Sequence, residues 1–152
     1  AAIAEVPLPN GQRSDAFARA ERAAWEETGE AYRPALLADV PLIPAHTALL
    51  TTTVYHGSNP PGIVDIVPSE SPRPAGWTAA LVIVDGLIGQ AVDDGICQRF
   101  SHVPGMPELL LRAVSYRRYV NDLHSESRSN TRSHIERVEQ HLVSRASAIL
   151  ER

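Results

Sequence analysis

A chain of 152 residues with 43% hydrophobic and 21% charged residues has the composition of one globular domain, long enough to bury about two-thirds of its unfolded surface. Its net charge of −4 supplies no overall attraction to nucleic acid or to an anionic membrane, and no apolar run approaches the roughly 20 residues that cross a bilayer. All 14 basic residues are arginine, which excludes Schiff-base chemistry on a lysine, pyridoxal-phosphate anchoring and a Walker-type phosphate lysine within the chain. Cys97 is the single cysteine, so neither an intramolecular disulfide nor a Cys-rich zinc site can form, and a cytoplasmic setting is expected.

Residues 1–12 carry Pro7, Pro9 and Asn10-Gly11 and read as a mobile arm. They lack a basic n-region and a long apolar h-region, so they do not read as an intact signal peptide. Residues 13–152 are expected to form a single domain. Ser14 or Asp15 can cap a helix, and Phe17, Ala20, Ala24 and Trp25 give it an apolar stripe over 15–30. Pro34 can open a second short segment through Leu37. Thr47 to Tyr55 is rich in β-branched residues and predicts a strand over 47–55. His56 to Gly62 then turns the chain. Ile63 to Val67 predicts a short strand over 63–67. Pro68, Pro72 and Pro74 mark an exposed loop.

The stretch from Thr78 to Val103 carries the strongest local signals. Leu81 to Val84 meets Asp85-Gly86, Leu87 to Val92 meets Asp93-Asp94-Gly95, and Ile96 to Val103 closes on Pro104-Gly105. Asp-Gly between apolar runs is a hairpin signal, because both central residues of a type I′ turn need positive φ. The expectation is an antiparallel meander with strands over 79–84, 87–93 and 96–103 that holds the core. The run from Ala79 to Ala91 also fits a buried helix, since short apolar runs do not separate the two. After Pro107, the residues Leu109, Leu110, Ala113, Tyr116, Val120 and Leu123 predict a helix over 107–124. Ser125 to Thr131 is a polar break. Ile135, Val138, Leu142, Ala146 and Ile149 predict a last helix over 131–150, whose seam can face the domain or a partner. The fold class is therefore α+β: an antiparallel meander or roll flanked by one N-terminal and two C-terminal helices.

Residues able to carry chemistry are few. His56, Ser58 and Asp65 supply the residue types of a hydrolase triad, but no G-x-S-x-G elbow accompanies them. Tyr55-His56-Gly57 resembles the Tyr-His-Gly start of some ADP-ribosyl-transfer folds. His56, Ser58 and His102 are the candidate catalytic residues. His134 and His141 are too far apart on a helix to share a metal, so no metal and no cofactor is expected. Arg112, Arg117, Arg118, Arg128, Arg132, Arg137 and Arg145 alternate with acidic residues, as on a salt-bridged solvated face, and nucleic acid is not expected as a partner. Cys97 reads as a buried, inert thiol and Trp77 as a core residue.

Leu81 to Gly89, Asp94-Gly95 and Phe100 to Gly105 resemble the β-roll of the Crp/Fnr-type cyclic-nucleotide-binding domains, and Ile43 to Thr47 resembles the entry strand of that roll. The likeness spans residues 43–108. It implies a roll closed by a long helix. Glu108 and Arg112-Ala113 echo the family's phosphate-binding cassette at a shorter spacing, which implies Glu108 and Arg112 as ligand-binding residues for a small anion. A helix stands where the final strands of the family would be.

These expectations converge on a non-catalytic, β-roll-like module that senses a ligand or mediates assembly. Its C-terminal helices would pack against a second copy or another protein, with no membrane involved. A structural subunit of a larger particle and a small enzyme using His, Ser and Arg residues in loops are the alternatives.

Overall fold

Helix dominates the residues described by the computed structural model, 11–27, 29, 31–123 and 131–151. In chain order they form α1 (Gly11–Glu26), a 3-10 turn (Pro34–Leu37), β1 (Leu42–Ile43), α2 (Leu49–Thr52), β2 (Thr53–Val54), β3 (Gly62–Ile63) and β4 (Arg73–Pro74). Then follow α3 (Trp77–Ile88), α4 (Gly95–Arg99), α5 (Met106–Asp122) and α6 (Arg132–Leu150). The class is α+β, with two small antiparallel strand pairs beside a helical core.

Helix α5 is the centre of the core. Every residue from Met106 to Tyr116 is buried except Pro107, which is half-buried. A helix buried around most of its circumference must be surrounded, and α1, α3 and α6 pack on it. α6 delivers Ile135, Val138, Leu142 and Ala146 to the core, the stripe expected from the sequence. α3 delivers Trp77, Ala80, Leu81, Val84 and Leu87, at spacings of three and four residues. Trp77 meets Trp25 of α1 edge to face at 5.1 Å between ring centroids.

The strands belong to one long irregular hairpin, residues 42–74. Leu42 and Ile43 pair with Pro74 and Arg73 at its base, His46 bridges Pro68 midway, and Thr53 and Val54 pair with Ile63 and Gly62 near its tip. The register slips by two residues between the base and the bridge, then returns before the tip. The helical turn α2 takes up the difference.

Several expectations are corrected. No meander or roll forms among the described residues. The segment expected as strand 79–84 lies in α3, 87–93 is the end of α3 and a loop, and 96–103 is α4 and the turns after it. Asp85-Gly86 makes no turn because it lies inside α3, with the Asp85 carboxylate engaged by α5. Asp85 receives two hydrogen bonds from Arg117, at 2.6 and 2.7 Å, and Gly86 is buried beside Val92. The helical alternative for Ala79–Ala91 is the observed one through Ile88. Residues 81–105, which carry the likeness to the cyclic-nucleotide-binding roll, form α3, α4 and their connecting turns.

Strand 47–55 shortens to Thr53–Val54, because the hydroxyls of Thr51, Thr52 and Thr53 donate back to the carbonyls of Ala48 and Leu49 and close a helical turn. Strand 63–67 shortens to Gly62–Ile63. The loop expected at 68–76 is not wholly exposed: Arg73 and Pro74 are buried, with Arg73 held by Glu21 at 2.7 Å. The N-terminal helix runs over 11–26 rather than 15–30, and the C-terminal helices over 106–122 and 132–150. Residues 11 and 12 of the expected mobile arm open α1, while residues 1–10 and most of the polar break at 125–131, with Arg128, lie outside the described residues.

Candidate functional site

Only part of α3 is consumed by the core. Its outer side forms the floor of a groove of about 500 Å³. The base of the hairpin supplies one wall, through Ile43, Ala45, Leu49 and Pro74. Val92, Ile96 and Phe100 supply the opposite wall. Gly76 to Ala79, Val82 and Ile83 line it from α3. Apart from Trp77, whose ring is buried in the core against Trp25 and Tyr116, Thr78 is the one lining residue with a polar side-chain atom, and no lining side chain titrates. Such a surface can hold an apolar molecule and can do no acid–base chemistry of its own.

The start of α3 bears on the groove. Its N-cap is Gly76, at φ 101°, which has no side chain to cap the helix. A Cβ there would lie 2.8 Å from Val103 Cγ1, so packing as well as φ demands glycine. The first helical return bond runs from Ala80 N to Gly76 O. The N–H groups of Trp77, Thr78 and Ala79 find no acceptor among the described residues. The hydroxyl oxygen of Thr78 accepts from His46 N at 2.9 Å. The Trp77 Nε1–H is buried and has no acceptor either.

The residues singled out in the sequence fall in different places. His56 and Ser58 are exposed at the hairpin tip, where Asn59 N donates to His56 O at 3.1 Å. His102 is exposed in the turn after α4, with Nδ1 3.1 Å from Arg99 O. No hydrogen bond or ion pair joins these three among the described residues. Glu108 and Arg112 do meet, one helical turn apart, at 2.8 Å. Both are buried, with 1% and 3% exposure. The remaining carboxylate oxygen of Glu108 accepts from Arg33 N at 2.7 Å, and Arg112 donates to Trp25 O at 2.5 Å. The Arg112 guanidinium also lies over the rings of Trp25 and Tyr32, at 4.8 and 5.3 Å.

A second polar cluster ties three helices. Glu27, just past α1, accepts from Ser115 and from Arg118, both on α5, and Arg118 donates onward to Glu139 of α6 at 2.5 Å. Burial alone would raise the Glu27 carboxyl. The hydrogen bonds from Ser115 and Arg118, together with the charge of Arg118, outweigh burial and hold it below its ordinary value. Burial pushes the neighbouring Tyr32 phenol up to about 12, and burial raises the Cys97 thiol. Among the described arginines expected on a solvated face, Arg132 pairs with Glu136 there and Arg137 is exposed, whereas Arg112, Arg117 and Arg118 are internal ties.

Among the described residues no group of three or more His, Cys, Asp or Glu side chains is placed to hold a metal ion, and no helix is long and apolar enough to cross a membrane. The groove is not legible in the sequence, because its walls come from separate segments, Ile43 to Leu49 with Pro74 on one side and Val92 to Phe100 on the other. The one available signal was the apolar surplus of α3: Ala79 and Val82 lie off the stripe that packs on α5. No family model, no curated protein and no solved structure matches the chain.

Proposed function

We propose that the protein is a non-catalytic ligand-binding module whose site is the apolar groove on α3. The observation that carries this reading is a preformed cavity of about 500 Å³ with no titratable side chain in its lining. That volume falls within the range of about 300–1,000 Å³ usual for small-molecule sites. The hairpin base is one wall, so occupation of the groove would brace residues 42–74 against α3 and give ligand sensing a physical basis. Titration with an apolar fluorescent dye tests the site. Saturable one-site binding is expected in the wild type. It should be lost in Val82→Asp, with the melting of the unliganded protein unchanged. Undiminished dye binding in that variant would remove the groove as the site.

A second reading, assembly with a protein partner, is favoured by the hairpin tip. Val54, Tyr55, Ile63, Val64 and Ile66 are 49 to 73% exposed, and clustered apolar exposure of this kind marks interaction surfaces. A second copy of the chain is the first partner to test. A mass in solution well above 16.5 kDa would support it, provided it falls on Tyr55→Ser with Val64→Ser. A concentration-independent monomer would remove it.

A further inference from the structure

We propose that the groove on α3 receives the hairpin tip of a second copy of this chain, so that two copies exchange tips; this rests on the groove being a binding site and on the tip being an assembly surface. One chain carries two uncovered apolar features of opposite kind. The groove is a cavity with no charged side chain in its lining. The tip presents Val54, Tyr55, Ile63, Val64 and Ile66 to solvent. None of these five lines the groove of its own chain. The hairpin is paired at Leu42–Pro74, where it walls the groove, and again at Thr53–Ile63 near its tip, which holds the tip out of its own groove and leaves it for another molecule's.

Area and charge both fit this occupant. At about 100 Å² for each of its five apolar side chains, the tip offers roughly 500 Å² to a partner. A two-fold exchange buries two tips and the two grooves that receive them, roughly 2,000 Å² in all, which is the size of a stable interface. It also closes on itself, so assembly stops at two copies. Asp65 is the one acid between Thr53 and Val67; it is exposed, and its carboxylate accepts from Ile66 N and enters no ion pair among the described residues. Arg99 is exposed beside Val92 and Ile96 of the groove wall and likewise enters no ion pair among the described residues. Asp93 lies at the same edge, with one oxygen taken by Gly95 N. An Asp65–Arg99 contact between the copies gives the tip a direction of entry.

Analytical ultracentrifugation of the full chain across a range of concentrations tests the exchange. The wild type is expected to reach twice 16.5 kDa. Val82→Asp in the groove, and Tyr55→Ser with Val64→Ser on the tip, should each weaken the dimer about 100-fold or more, because every change enters a two-fold interface twice. Mixing the groove variant with the tip variant should restore a weaker dimer, since the intact tip of one meets the intact groove of the other. Asp65→Arg and Arg99→Asp should each weaken the dimer, and together restore it. Ala79→Phe, which fills the groove without adding charge, replaces Val82→Asp if that variant does not fold. A groove variant that dimerises like the wild type would overturn the groove as the receiver of the tip; binding of the apolar dye that still depends on Val82 would then keep the groove as a site for something else. No recovery in the mixture, or a monomer at every concentration, would overturn the exchange, and a charge swap that fails to restore the dimer would overturn the Asp65–Arg99 contact.

Discussion

Glu108 and Arg112 are the residues whose surroundings settle most about their role. Both are buried; they pair with each other and also reach the backbone of Arg33 and Trp25, so one helical turn of α5 fixes the chain on either side of residues 27–32. Removing one member leaves a desolvated charge without its partner. Glu108→Ala is therefore expected to cost about 3–5 kcal/mol in urea unfolding, and adding Arg112→Met should recover much of that loss. A double variant no more stable than the single one would show that the pair does not act as a unit. Gly105 constrains the same helix from its first turn. It sits at φ 70°, and a Cβ there would overlap Leu37 Cδ2 and lie 3.1 Å from Leu36 O. Gly105→Ala combines a strained φ with that overlap and should cost about 1–3 kcal/mol, read from the same unfolding curves.

At the scale of elements, α3 shows why local signals misled. Asp85-Gly86 satisfies every local rule for a hairpin, yet Trp77, Ala80, Leu81, Val84 and Leu87 also satisfy the helical period. The helix wins because its apolar face packs on α5 and because Arg117 takes the Asp85 carboxylate that a turn would have exposed. Neither partner is visible from residues 78–103 alone. The two C-terminal helices were legible, within two residues at their ends, because their stripes need no partner to be recognised. The groove was not legible, since the hairpin base must first fold onto α3. A substitution separates helix from turn. In a type I′ turn, Gly86→Ala would destabilise. In α3 it removes a helix-interior glycine, and its Cβ would meet Val92 Cγ2 at 3.0 Å. Val92 is 38% exposed and free to shift by a few tenths of an ångström. Gly86→Ala is thus expected to raise stability by up to about 1 kcal/mol, measured by thermal and urea unfolding. A clear loss would contradict a helix with a yielding neighbour at this position.

Across the whole molecule, the helices are held by internal charge pairs as well as by apolar contact, and this gives stability a pH dependence. Glu27, Arg118 and Glu139 join α1, α5 and α6 at one point. The carboxyl of Glu27 is held below its unfolded value of 4.5, so the folded state binds fewer protons than the unfolded state as the pH falls toward that value. The contribution is fully present above 4.5 and is lost as the pH drops through the lower folded value. Stability is expected to be flat near neutrality in this respect and to decline on acidification below about 4.5. Glu27→Gln keeps the size of the side chain and one acceptor oxygen but removes the titration and the charge facing Arg118. It should lower stability at neutral pH and make the acid decline shallower, so that wild type and variant converge at low pH. Urea unfolding of both proteins across that range reads the difference directly. Parallel curves, with a constant gap from neutral to acid, would mean that Glu27 contributes through packing and not through its charge.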